Sequence, residues 1–329
     1  MLKYILKRIL SVIPVLLAVS LIVFMMVHFM PGDPAQLLAG ETASEEDIQR
    51  VREKYGYDQP LYVQYFRYMK NLAKGDLGIS TRTHRAVSEE LALRFPKTLE
   101  LALWATAVAS VIGIAIGIIS AHFRYSFLDN ASMVVALFGL SIPPFYLGLM
   151  LMLIFCVNLG WLPISSDVWY IALLLPVCTV AARSLAIIAR MTRSSMLEVL
   201  NQDYIANARA HGFKESKIVF GCALKNSMNA IITCMGIQFG SLLGGAVVTE
   251  KIFGWPGIGD YLVAAIKARD FQVVQSTVLV TAVAFVIVNL LVDILYAFIN
   301  PKIMQSRRTT GSTNFRGSCC AVSSLRKEV

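Results

Sequence analysis

Six cysteines and four histidines are the residues with the richest chemistry in this chain of 329, and their spacing assembles none of it. Cys156, Cys178, Cys222 and Cys234 lie in or beside apolar stretches, Cys319 and Cys320 sit near the C-terminus, and His28, His84, His122 and His211 are scattered. No C-x-x-C and no Cys/His ligand spacing occurs, so neither a zinc site nor a secreted disulfide framework is supported, and no metal site is expected. Catalysis would ask for a nucleophile with its base, a carboxylate pair or a phosphate-cradling loop. The chain has no G-x-x-x-x-G-K-[ST], no G-x-S-x-G and no H-E-x-x-H. Its connecting segments are too short to build a catalytic domain, and the expectation is a protein that is not an enzyme.

What remains is charge in an apolar setting. Arg183 and Asp293 fall inside hydrophobic stretches. An ionised side chain there costs about 2.5–3.5 kcal/mol on insertion scales, so each needs a partner or water. The two could pair with each other, or Arg183 could line a cavity and attract a substrate carboxylate. Gly236, Gly240 and Gly244 are spaced four apart and share one helix face. They serve either close helix packing or a side-chain-free wall along a pathway.

The elements that must position these residues are membrane helices. The chain is 56% hydrophobic and 16% charged, against about 45–50% and about 25% in soluble domains. Six stretches are long enough to span a bilayer core: Ile9–Phe29, Leu99–Ala121, Met133–Val157, Tyr170–Ala189, Ala230–Val248 and Val273–Ile299. The first follows Lys3, Lys7 and Arg8 as a signal peptide would, but it is longer than a signal core and runs into Pro31-Gly-Asp-Pro34. It reads as an uncleaved span. Pro143-Pro144 and Pro176 interrupt backbone bonding within the third and fourth.

Basic residues orient the spans. Met1–Arg8, His122–Ser132, Arg190–Asn229 and the segment after Pro301 hold three, one, six and six Lys and Arg, while Asn158–Trp169 holds none. Both termini are therefore expected inside, and the net charge of +9 reads as an orientation signal rather than a nucleic-acid footprint. The expected layout is a cytoplasmic N-terminus (1–8), a transmembrane domain (9–304) with an outer loop (31–98) and an inner loop (190–229), and a disordered cytoplasmic tail (305–329) whose basic residues can touch anionic lipid.

Two loops carry local patterns. In the outer one, Ser44-Glu45-Glu46-Asp47 predicts a helix start, and Tyr62, Tyr65, Phe66 and Met69 recur at helical spacing. In the inner one, two helical stretches break at Gly212, and the first sets Ala206, Ala208 and Ala210 beside Tyr204 and Arg209. That stretch suits a helix pressed into a partner's groove, or a basic loop solvated among headgroups. After the fifth span, Trp255-Pro256-Gly257 predicts a rigid turn and Ile258–Ile266 a short amphipathic helix.

The Arg190–Asn229 segment resembles the cytoplasmic "EAA" loop of permease subunits of binding-protein-dependent ABC importers. Pro31-Gly-Asp-Pro34, Gly75-Asp-Leu-Gly78, Phe253-Gly-Trp-Pro-Gly-Ile-Gly259 and Asn289-Leu-Leu-Val-Asp-Ile-Leu-Tyr296 running to Asn300-Pro301 resemble its dipeptide, oligopeptide and nickel branch. The resemblance covers about residues 1–304 in collinear order. It departs at Ala206-Asn207 in the "EAA" triplet, and at Asn229-Ala230, where the family often has Leu/Ile-Pro. It implies an all-α, six-span, type I permease of the bacterial inner membrane that forms half of a pathway. Its partners would be a homologous second permease, two cytoplasmic ATPases holding ATP and magnesium, and an extracytoplasmic substrate-binding protein; no cofactor is implied in this chain. The resemblance makes Asp203, Tyr204, Ala206, Ala208, Arg209 and Gly212 the ATPase-coupling helix and its turn. Trp255, Pro256, Gly257 and Gly259 become candidates for binding-protein docking. The implied cargo is a short peptide, di-, oligo- or glutathione-like. Nickel or a nickel chelate is the alternative within the branch, and a stand-alone secondary transporter the alternative outside it.

Overall fold

Small residues decide how the longest helices meet. The computed structural model describes residues 2–29, 34–39, 43–164, 166 and 168–299. Pro31, Gly32, Asp33, the side chain of Asp293, Asn300, Pro301 and the 305–329 tail with Cys319 and Cys320 lie outside the described residues. The described chain is helical: α1 (Leu2–Phe29), α2 (Pro34–Ala39), α3 (Glu45–Tyr55), α4 (Leu61–Ala73), α5 (Val87–His122), α6 (Phe127–Ser141), α7 (Pro144–Met152), α8 (Trp169–Leu200), α9 (Asp203–Ala210), α10 (Lys225–Gly245), α11 (Val247–Phe253), α12 (Ile258–Lys267) and α13 (Phe271–Ile299). Along α5, Ala105, Ala109, Gly113, Gly117 and Ala121 repeat every fourth position and are buried. A Cβ at Gly117 would stand 2.7 Å from the Ala189 carbonyl oxygen, and one at Gly113 would stand 3.0 Å from that of Leu185. The stripe thus lets the α5 and α8 backbones touch, and this pair is the spine of the fold.

Among the described residues, Val87–His122, Trp169–Leu200, Lys217–Gly245 and Phe271–Val292 are each long and apolar enough to cross a bilayer. A fifth crossing comes from α6 and α7 only if the two are taken together, because they are bent by 100°. The cause is local: Pro143 and Pro144 bring no N–H, and Ile142 turns extended at the end of α6. α1 is unbroken, with a shorter described apolar stretch at Leu10–Met26.

The fifth predicted span begins earlier than the hydropathy suggested. A π-helical segment, Lys217–Leu224, runs directly into α10. With Asn229-Ala230 where a proline could have stood, nothing stops the helix before the apolar run.

The described residues of the 31–98 segment form a helical cap. Ser44 caps α3 by accepting the Asp47 N–H. α4 lies against α1, where Tyr65 and Ser20 share a hydroxyl hydrogen bond of 2.9 Å, His28 meets Gln64 at 3.1 Å, and Phe24 packs on Tyr65 and Tyr68. The Gly75–Gly78 stretch seats the cap on α13, since the Leu77 carbonyl accepts from Gln272 Nε2 at 2.9 Å and Ser276 Oγ at 2.7 Å. Gly78 has φ +83°, and a Cβ there would strike Gln272.

Candidate functional site

Three groups of polar and charged residues stand out, one near each end of the long helices and one between. At one end of the long helices, α9 stands on Ile205, its one fully buried residue. Asp203, Tyr204, Ala206 and Arg209 are exposed, and Ala208 is half-buried. Gly212 closes the helix at φ +75° while its N–H donates to the Arg209 carbonyl. Across that turn Arg209 Nε donates to Glu215 Oε1 at 2.8 Å, and this bond holds the Glu215 carboxyl below its ordinary range. Asn226 donates to the Tyr204 hydroxyl at 3.0 Å. The six residues assigned to the coupling segment thus form one short helix and its turn, braced from behind and open in front.

α9 follows α8 after only Asn201 and Gln202, and α8 is pinned nearby by a clamp that sequence reading missed. Arg193 donates from Nε and Nη2 to the two carboxylate oxygens of Asp129, at 2.6 and 2.7 Å. The Ser120 hydroxyl and the Tyr125 N–H donate to the same carboxylate. α5, α6 and α8 are joined through this one buried acid. A signal did exist: Asp129 is the lone acid of the 122–132 segment, three residues after the capping Ser126.

Between the faces, Arg183 is exposed on α8 and makes no ion pair among the described residues. It shares its helix face with Arg190, Ser194 and Glu198, all exposed, at intervals of seven, four and four. Pairing with Asp293 lies outside the described residues. The glycine stripe divides. A Cβ at Gly236 would strike Val292 and one at Gly240 would meet Asn289 and Phe285, so these two positions are where α10 packs on α13. Gly244 has nothing within 4 Å.

At the opposite end the residue that organises the turn is Glu250, which is fully buried. Thr98 Oγ1 donates to its Oε1 at 2.7 Å; the N–H groups of Gly259 and Asp260, in the first turn of α12, donate to its Oε2 at 2.7 and 3.2 Å. Thr98 in turn accepts the Ile258 N–H at 2.9 Å. Burial pushes the Glu250 carboxyl up, against the pull of these donors. A Cβ at Gly257 or Gly259 would collide with this carboxylate or with Val247. Trp255 is buried too, and its indole N–H donates to the Lys97 carbonyl at 2.9 Å. Of the four residues assigned to docking, Gly257 and Gly259 are buried and leave room for the Glu250 carboxylate, Trp255 is buried against Leu101, Leu173 and Val177, and Pro256 is exposed.

A family model described as the inner membrane component of binding-protein-dependent transport systems matches residues 113–305, and its N-terminal companion matches 1–102. This chain belongs to that family. It is an ABC importer permease subunit and a multi-pass membrane protein. The glutathione transport system permease protein GsiC of Escherichia coli K12 is 45% identical over 304 residues, covering 92% of this chain and 99% of that one. The protein of the same name from Salmonella paratyphi A is 47% identical over the same length and coverage. Among solved structures, one titled as an amino acid ABC transporter with histidines aligns with a TM-score of 0.50 at 14% identity, over 65% of this chain and 94% of that chain. That likeness carries the fold alone. The N-terminal family match takes in the cap and α1 with the N-terminal part of α5, and the second begins at Gly113, inside the α5–α8 seam.

Proposed function

We propose that this permease forms half of a pathway that imports glutathione or a similar short peptide across the bacterial inner membrane. In this reading six spans place both termini inside. A homologous second permease completes the pathway, an extracytoplasmic binding protein delivers the cargo, and two cytoplasmic ATPases supply the work with their own ATP and magnesium. The observation that carries the cargo is the near-full-length similarity to permeases named for glutathione transport. Arg183 supports it chemically, because a guanidinium exposed in mid-span without an acid partner among the described residues suits the carboxylates of a small anionic peptide. Arg190 and Ser194 extend the same polar face inward, and we assign the pathway to this face and to Gly244 rather than to Gly236 and Gly240.

α9 would lie in a groove of the ATPase, transmitting its movement through α8 and the Asp129 clamp. The binding protein would dock near Pro256 and the exposed side of α12. Uptake of labelled glutathione by cells carrying the complete transporter tests the cargo. Loss of uptake when this chain is deleted, restored when it is supplied, is expected. Unchanged glutathione uptake together with loss of nickel uptake would transfer the cargo to the metal alternative.

A further inference from the structure

We propose that the cavity beside the α5–α6 turn binds the phosphate headgroup of an anionic phospholipid in the inner leaflet. The cavity measures about 280 Å³, and His122, Arg124 and Arg209 line it together with a single acid, Glu215. Glu215 is already engaged with Arg209 at 2.8 Å. Arg124 gives one hydrogen to Asn201 Oδ1 at 3.0 Å and meets no acid among the described residues. A guanidinium carries five N–H donors, so the cavity keeps both a positive charge and unspent donors. A phosphodiester, with one negative charge and two free oxygens, matches that set.

Position in the membrane selects a lipid over a soluble anion. The exposed apolar face of α5 continues to Ile119, and that of α6 resumes at Phe127 and Leu128. The turn between them therefore lies where hydrocarbon gives way to headgroups. Phe123 and Tyr125 are exposed on it, at the depth where aromatic side chains anchor membrane proteins. Tyr125 is held at φ +62°, a conformation that bulky residues seldom adopt, and its N–H donates to Asp129 at 2.9 Å. The headgroup would sit among His122, Arg124 and Arg209 while its acyl chains run past Ile119 and Phe127. Because Arg209 belongs to α9, a bound lipid would brace the coupling helix against α5. Basic pockets between helices at the cytoplasmic face are suited to such headgroups.

The test uses the transporter purified with its partner subunits in phosphatidylcholine nanodiscs, with and without phosphatidylglycerol. Retained lipid is counted by native mass spectrometry and ATP hydrolysis is followed in parallel. The native complex should retain phosphatidylglycerol and hydrolyse ATP faster in its presence. Arg124→Gln should weaken retention about fivefold, the effect of one surface charge, whereas Arg124→Lys should keep it. Lys225→Gln, which removes an exposed inner charge away from the cavity, should change nothing. Equal loss in Lys225→Gln would mean diffuse attraction and would overturn the site. So would unchanged retention in Arg124→Gln, or a loss in Arg124→Lys as large as in Arg124→Gln. Stimulation by soluble glycerol phosphate in pure phosphatidylcholine would overturn the lipid as the ligand.

Discussion

Two charged side chains, Arg183 and Glu250, meet the apolar interior in opposite ways. Arg183 is charged, exposed and in mid-span. A charge-assisted hydrogen bond to a carboxylate is worth about 1.5–3 kcal/mol, so Arg183→Leu should lower uptake of free-acid peptides about tenfold or more while sparing amidated ones, as measured by competition for uptake. Glu250 is the opposite case, an acid withdrawn from water and held by Thr98, Gly259 and Asp260. Burial raises its carboxyl in the folded state, so protonation is easier there than in the unfolded chain. The stability it confers is full below the ordinary carboxyl value of 4.5 and is lost as pH rises through the folded value. Glu250→Gln should flatten this decline in a series of melting temperatures across pH. Glu250→Ala strands buried N–H groups and should cost about 1–3 kcal/mol at any pH.

At the scale of elements, the seam between α5 and α8 is the most demanding contact. Gly117→Ala puts a methyl against the Ala189 carbonyl and Thr192 and should cost roughly 1–3 kcal/mol. Gly244→Ala meets nothing within 4 Å, and in a thermal unfolding comparison it should behave like the native protein. Much at this scale was legible in the sequence, because local patterns impose it. The Ser44 cap, the break at Gly212 and the short helix after Gly257 all follow from neighbours a turn away. The bend at Pro143-Pro144 follows from local backbone chemistry as well, whereas the helix leading into α10 starts well before the expected Ala230. What the sequence hid is long-range: Thr98 and Glu250 are 152 residues apart, and Asp129 and Arg193 are 64 apart. No spacing rule links such pairs, and nothing local to the Phe253–Gly259 motif announces that Gly257 and Gly259 make room for a buried acid.

For the whole molecule, the account rests on one mechanical chain, from α9 through α8 and the Asp129 clamp to the polar face bearing Arg183. Gly212 is where it begins. Its φ of +75° is forbidding to a β-branched residue, yet no neighbour lies within 4 Å of a Cβ there. Gly212→Val should therefore detach the ATPases in co-purification while the helices stay inserted, and Gly212→Asn, which tolerates the left-handed region, should retain them. The most direct test of the central claim is uptake of labelled glutathione into proteoliposomes holding this permease, its partner permease and the ATPases, with binding protein outside and ATP within. The account predicts accumulation that requires ATP and every subunit. Accumulation driven by an ion gradient through this chain alone, with no need for ATP, would contradict it.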